Sequence, residues 1–280
     1  MKHNNRIPTL LLAVMLFLAG RAAFLVPLVT ETAQINRDAE EYGELGALCK
    51  ASSTDAPLDD RADGTPVAFN DEQPSILQSV PSASPIYSAL WNTGEDLAAC
   101  QAQNADFIAW LQIPGTTVDY PVVWSDDSEY YLNHTFTGKR SYIGTLFSLK
   151  RTDYSAPSRN IAIYGHHIRS NDQIMFSPLL AYKDAAFYAE HKTVYLDTLY
   201  HTGVYTVFAV INMHNGDWEP STSDFAGNEA FLAFVNNAKA QALYDTDVAV
   251  QASDHILTLI TCDRSYGGKA GRLIVMAVKQ

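Results

Sequence analysis

From residue 110 to residue 278 one short apolar segment follows another, with Gly, Pro, Asn, Asp or Ser between them. Such spacing leaves little length for long helices and is the pattern of a barrel or sandwich. The segments are WLQI ending at Pro114–Gly115, then VDYPVVW, IGTLFSL, NIAIYGH, TVYLDTL, GVYTVFAVINM, DVAVQ leading into HILTLITC, and finally RLIVMAV. About eight strands are therefore expected, enough for a small barrel to close and leave no exposed edge. Pro121 lies inside the second segment and calls for an edge position or a bulge there.

Helices are expected at three places around this mainly β (α+β) framework. One precedes it at about 86–103, and a short one at about 174–183 follows the fourth strand. A third lies in GNEAFLAFVNNAKAQALY, where Phe231, Phe234, Val235 and Ala238 recur at helical spacing before the strand that carries Cys262.

The two ends of the chain have different characters. Residues 7–29 are one apolar block, about the ~20 residues that span a bilayer, interrupted by Arg21, which can snorkel to the interface. Lys2 and Arg6 on the short side keep that end cytoplasmic, so the expectation is a single-pass membrane anchor over 1–29 with the remainder outside. A cleaved signal peptide is the competing reading; both export the domain. Residues 30–50 are compatible with a short helix, loosely periodic in Ile35, Tyr42, Leu45 and Leu48. Residues 51–85 are rich in Ser, Pro and Asp and hold five of the twelve prolines, so 30–85 is expected to be an extracellular acidic linker and 86–280 the folded domain.

A net charge of −12 excludes nucleic acid as a partner, since phosphate binding needs a basic footprint. No CxxC or zinc-type Cys/His spacing occurs, so neither a metal nor another cofactor is expected. Three cysteines are an odd count in an exported protein, so at least one is free or paired between chains; a Cys49–Cys100 disulfide is one possible arrangement.

The thiol to examine is Cys262. Alternation along LTLITC puts Thr258, Ile260 and Cys262 on one face, and Leu257, Leu259 and Thr261 on the other. The thiol ends a strand and precedes the loop DRSYGGKAG, where a rigid sheet fixes its backbone and leaves it accessible, as a nucleophile requires. An inert core cysteine is the alternative. His166 supplies the partner: NIAIYGHH ends a strand in Gly165, whose lack of a side chain admits a second backbone, and the imidazole follows. His167 is read as structural or solvated, and Asp263 and Arg264 as loop charges. Arg272 opens the last strand in the phase of Ile274 and Met276, with a forked cation suited to an oxyanion or substrate carbonyl.

LTLITC followed ten residues later by RLIVMAV resembles the TLxTC…R signature of sortases, and IYGHH resembles their strand-end histidine motif. ADFIAWLQIPGTTVDYPVVWSDDSEYYLNHTFTGK and MFSPLLAYKDAAFYAEH resemble class B sortases in order and spacing, so the likeness spans about 86–280. It implies a cysteine transpeptidase on an eight-stranded barrel at the outer face of a Gram-positive-type membrane. Cys262 would be the nucleophile, His166 the general acid/base, and Arg272 the stabiliser of substrate and tetrahedral intermediate. Asn133, Ile260 and Thr261 would be substrate-binding, with Ile260 standing where class B sortases often have Ser. Partners would be sorting-signal-bearing surface proteins or pilins, and a peptidoglycan crossbridge or lysine amine. The rivals left by the residues themselves are an exported cysteine peptidase and a silent, membrane-tethered binding module.

Overall fold

The computed structural model describes residues 30–49, apart from 31 and 48, and 94–280, apart from 128. The anchor expected before residue 30, the linker from 51 to 85, and residues 86–93 of the expected first helix lie outside the described residues. Among the described residues no helix is long and apolar enough to cross a membrane.

Eight strands close into a barrel: β1 (Phe107–Gln112), β2 (Asp119–Ser125), β3 (Leu146–Leu149), β4 (Asn160–Tyr164), β5 (Thr193–Thr198), β6 (Val204–His214), β7 (Ile256–Cys262) and β8 (Gly271–Lys279). Around the barrel the order is β1-β2-β3-β4-β7-β8-β6-β5, with β5 returning to β1. Two contacts are parallel, β2 with β3 and β4 with β7; the others are antiparallel. Pro121 faces Trp110 of β1, and pairing with β3 begins one residue later at Val122. Its missing N–H is thus placed where β2 has a neighbour on one side only.

DVAVQ is not a strand. Both neighbours of β7 and β8 are already taken by barrel closure, so no edge remains for it. Val248 and Val250 instead pack partly buried on the outer cluster described below, and the Val248 carbonyl accepts a bond from Lys239.

Alternation sends Leu257 and Leu259 of β7 and Leu273, Val275 and Ala277 of β8 into the interior, while Ile256, Ile260, Ile274, Met276 and Val278 face outward. That outward apolar face is covered by α4 (Asn228–Ala240), through Phe231, Phe234, Val235 and Ala238, the four residues singled out by their spacing. The expected helix near 174–183 is a 3-10 helix, Ser177–Lys183, started by Pro178. It runs into α3 (Ala185–Glu190), whose first turn is capped by the Asp184 side chain on Ala186 N.

Residues 32–47 form a helix, α1, so the first part of the expected linker is a docked element. Its buried positions are Ile35, Asp38, Tyr42, Leu45, Gly46 and Cys49, a continuous helical stripe. The periodicity looks loose in sequence because a carboxylate and a glycine occupy two inward places. Asp38 is satisfied by Ser141 and Lys139, and Gly46 faces the Trp110 ring. Cys49 is bonded to Cys100 of α2 (Gly94–Gln103), both fully buried.

This disulfide joins residues 51 apart, which restrains the unfolded chain by about 4 kcal/mol. Cys49→Ala/Cys100→Ala is therefore expected to lower Tm by roughly 10 °C. Thermal unfolding followed by circular dichroism checks this, and an unchanged Tm would show that α1 is not secured by the bond.

Candidate active site

Strand pairing decides where the three reactive side chains lie. β7 runs parallel to β4 from Asn160↔Ile256 to Tyr164↔Ile260, and Gly165 N continues the ladder onto the Ile260 carbonyl at 3.1 Å. His166 follows one residue on, beside the end of β7. On the other edge of β7 the antiparallel register pairs Cys262 directly with Arg272. One strand end thus gathers Cys262, His166 and Arg272, and all three line a groove of about 850 Å³.

The groove is the uncovered continuation of the outer apolar face. Ile260, Ile274, Met213 and Tyr164 form its floor, and Trp218, Glu219 and Pro220 one wall. That wall is fixed by Asn160, wholly buried on β4, which donates to the Pro220 and Thr222 carbonyls at 2.9 and 3.0 Å and accepts from Thr258 Oγ1 at 2.7 Å. Every hydrogen-bonding branch of this buried amide is used, as burial requires. Cys262 is an unpaired, half-buried thiol.

His166 Nε2 lies 2.9 Å from the Leu132 carbonyl, so Nε2 carries a proton and Nδ1 is the nitrogen that titrates. The Tyr142 ring stacks parallel to the imidazole, 6.2 Å between centroids. Burial pushes the imidazole below its ordinary 6.5; the Leu132 carbonyl opposes this by favouring the cation, and the Arg264 charge adds to it. His167 Nδ1 donates to the Cys262 carbonyl at 3.1 Å, so the second histidine holds the Cys262 backbone. Arg272 Nη1 donates to the Lys269 and Gly271 carbonyls, both at 3.0 Å, which pins one arm of the guanidinium fork at the groove.

A model of the sortase domain matches residues 111–280, more than half of the chain. The chain belongs to the sortase family. It is similar to Sortase B of Staphylococcus aureus, 30% identical over 174 residues that cover 62% of this chain and 70% of that one. Sortase B of Listeria monocytogenes is 29% identical over 184 residues, 65% of this chain and 72% of that one. Among solved structures, the Staphylococcus aureus sortase B–substrate complex has a TM-score of 0.62 at 27% identity, covering 66% of this chain and 84% of the other. Bacillus anthracis sortase B in complex with AAEK1 has a TM-score of 0.60 at 31% identity, with the same coverage.

Within this sortase the residues expected to bind substrate are distributed unevenly. Ile260 lines the groove. Thr261 also borders it, but its side chain is buried and donates to the Gly165 carbonyl at 2.8 Å, so it braces the strand end that presents His166. Asn133 is exposed and is not among the groove-lining residues; its amide donates to the Glu129 carbonyl at 3.1 Å. Its neighbours Leu132 and Glu129 reach the groove instead. Gly165 makes room for side chains rather than backbone, because a Cβ there would collide with the side chains of Leu146 and Phe176.

Asp263 is not a solvated loop charge. It is fully buried, ion-paired with Lys183, and accepts from Ser265 N at 3.0 Å and Ser265 Oγ at 2.6 Å, capping the short helix α5 (Arg264–Gly267). Burial by itself would raise its carboxyl; the Lys183 and Ser265 donors outweigh that and hold it below the ordinary 3.8. Sequence offered no signal for this pair, since the two residues lie far apart along the chain. Among the described residues no group of His, Cys, Asp or Glu is arranged to hold a metal ion.

Two outcomes follow. Lys183→Met leaves a buried carboxylate without its cation and is expected to cost about 3–5 kcal/mol in denaturant unfolding, against little change if the pair were dispensable. Arg264→Ala removes a charge that disfavours the imidazolium, so the His166 titration midpoint should move up toward 6.5. The imidazolium would then persist to higher pH, and a histidine-dependent fall in kcat/KM with rising pH should begin later; an NMR titration of the ring that does not move would contradict this.

Proposed function

We propose that this protein is a class B sortase that cleaves a C-terminal sorting signal after Thr and joins the released acyl group to an amine. The observation that carries the reading is the strand register, which puts a half-buried free thiol opposite an arginine and beside a strand-end histidine, in one groove of about 850 Å³. Support for class B comes from the two relatives named Sortase B and from solved sortase B complexes, one with substrate and one with triglycine.

The chemistry runs in two halves. The Cys262 thiolate attacks the Thr carbonyl; a C–S bond forms and the carbonyl π pair moves onto oxygen, where the Arg272 guanidinium stabilises the developing negative charge. Collapse of that intermediate breaks the C–N bond, the leaving amine takes the proton from His166, and a thioester remains. A peptidoglycan crossbridge amine or a pilin lysine, its proton taken by His166, then attacks the thioester. The new amide forms and the thiolate is restored. No step needs a cofactor. Residues 1–29 would hold the enzyme in a Gram-positive-type membrane as a single-pass anchor, N-terminus cytoplasmic and catalytic domain extracellular, where surface proteins or pilins are delivered.

The test is mass spectrometry of the full chain in detergent, wild type, Cys262→Ala and Arg272→Ala, with a panel of sorting peptides and with or without an added amine. The expected result is a Cys262-dependent thioester and a product that gains the amine, with Arg272→Ala slower by a factor of roughly 10² or more. Hydrolysis that ignores the amine would make the protein a cysteine peptidase. A thiol that neither acylates nor alkylates would make it a binding module.

A further inference from the structure

The environment of His166 is built by a segment that belongs to none of the strands flanking it. Residues 129–145, between β2 and β3, supply both the Leu132 carbonyl on Nε2 and the Tyr142 ring stacked on the imidazole. This segment has no regular secondary structure, and a loop carries its own conformational freedom unless something removes it.

Part of that freedom is removed within the segment, by Ser141 N on the Asn133 carbonyl at 2.9 Å and Thr145 N on the Tyr131 carbonyl at 2.8 Å, and by Tyr131 OH on Asp106 at 2.8 Å; α1 ties down the outer arm. Tyr42 OH donates to the Gly144 carbonyl at 2.6 Å, lies 2.8 Å from Thr145 Oγ1, and accepts from Phe136 N at 3.1 Å, so one buried hydroxyl ties three points of the segment. Asp38, buried on the same face, accepts from Ser141 Oγ and pairs with Lys139 at 3.4 Å. Glu41 one turn along takes Thr137 Oγ1 and Lys139 Nζ. Gly144 is the junction. With φ of +64° it packs so tightly on the first arm of the segment that a Cβ would stand 2.5 Å from the Tyr131 carbonyl oxygen and 3.0 Å from that of Leu132. The chain of contact from Tyr42 through Gly144 to the Leu132 carbonyl and His166 is therefore continuous. At its far end α1 is bonded to α2 through Cys49–Cys100, and α2 leads into β1.

We propose that α1, fastened by the Cys49–Cys100 disulfide, is a positioning element for the His166 imidazole, with Tyr42 as its principal contact. This rests on the reading of His166 as the proton-transfer group, but the positioning itself can be observed apart from activity. Tyr42, Asp38 and Cys49 touch no reacting atom; they act through the 129–145 segment.

The experiment uses the full chain in detergent with ¹³C-labelled histidine. The His166 ring signal is assigned by its loss in His166→Ala and followed in wild type, Tyr42→Phe and Cys49→Ala/Cys100→Ala, alongside kcat and KM for a transpeptidated peptide. The expected result in Tyr42→Phe is a displaced ring signal, with its titration midpoint raised toward 6.5 as burial loosens. We expect kcat to fall roughly tenfold, by more than KM rises. Both changes should appear well below Tm. A purely structural role would lower Tm and leave the ring signal and kcat as in wild type, and that result in both variants overturns the proposal. If Tyr42→Phe does not fold, the disulfide-free variant decides by the same signal. Should His166→Ala keep transpeptidating, the acid/base reading fails while the ring signal still settles whether α1 positions the imidazole.

Discussion

Parallel pairing of β4 with β7 is the constraint on which the rest of this molecule depends. The ladder from Asn160↔Ile256 to Tyr164↔Ile260 makes both strands end at the same level, so a residue just past one end sits beside the last residue of the other. Antiparallel β8 on the far edge of β7 then returns from the loop with its first side chains at that level. Backbone hydrogen bonds set these positions within a fraction of an ångström, a tolerance that long side chains on loops do not reach. Cys262, His166 and Arg272 inherit their geometry from the sheet, and the residues around them, Thr261, His167 and Asp263 with Lys183, hold the ends of the strands.

The same constraint explains why a groove exists at all. The outward faces of β4, β6, β7 and β8 are apolar, and apolar surface of that extent is normally hidden. Over most of its length α4 does so, with Phe231 and Phe234 seated on it and the Arg159 guanidinium 4.0 Å from the Phe231 ring. Beyond the helix the floor of Ile260, Ile274 and Met213 is left open between the Trp218 wall and the His166 strand end. That floor is apolar surface which the chain itself leaves uncovered beside Cys262.

Much of this was legible in the sequence because it is written in short periods. Alternation in LTLITC separated the interior residues from Ile260 and Cys262, and helical spacing picked out the four residues by which α4 is seated. Turn residues located most of the strands without ambiguity. Failures came where a pattern was genuine but its context was not local. DVAVQ alternates like a strand, yet every neighbouring edge is occupied. The stripe of α1 was obscured by Asp38 and Gly46, and Asp38 suits that face because Ser141 and Lys139 meet it from a distant part of the chain. Asn133 sits in the right segment, but its neighbour's backbone oxygen, which no sequence pattern advertises, is the atom that reaches His166. Lys183 and Asp263 form a pair that only the closed barrel brings together.

The place of β8 bears on how the molecule is made. It is the last of the eight strands in chain order, yet it lies between β7 and β6 and carries both of their inner edges. Until β8 emerges, β6 and β7 have no common partner, and the surface under α4, to which all three contribute, is incomplete. The barrel therefore cannot close vectorially from its first strand. A growing chain leaves the barrel open until β8 is available to pair with both β6 and β7. Arg272 arrives on the strand that completes the fold, so no partly assembled form of this chain can hold Cys262 opposite it.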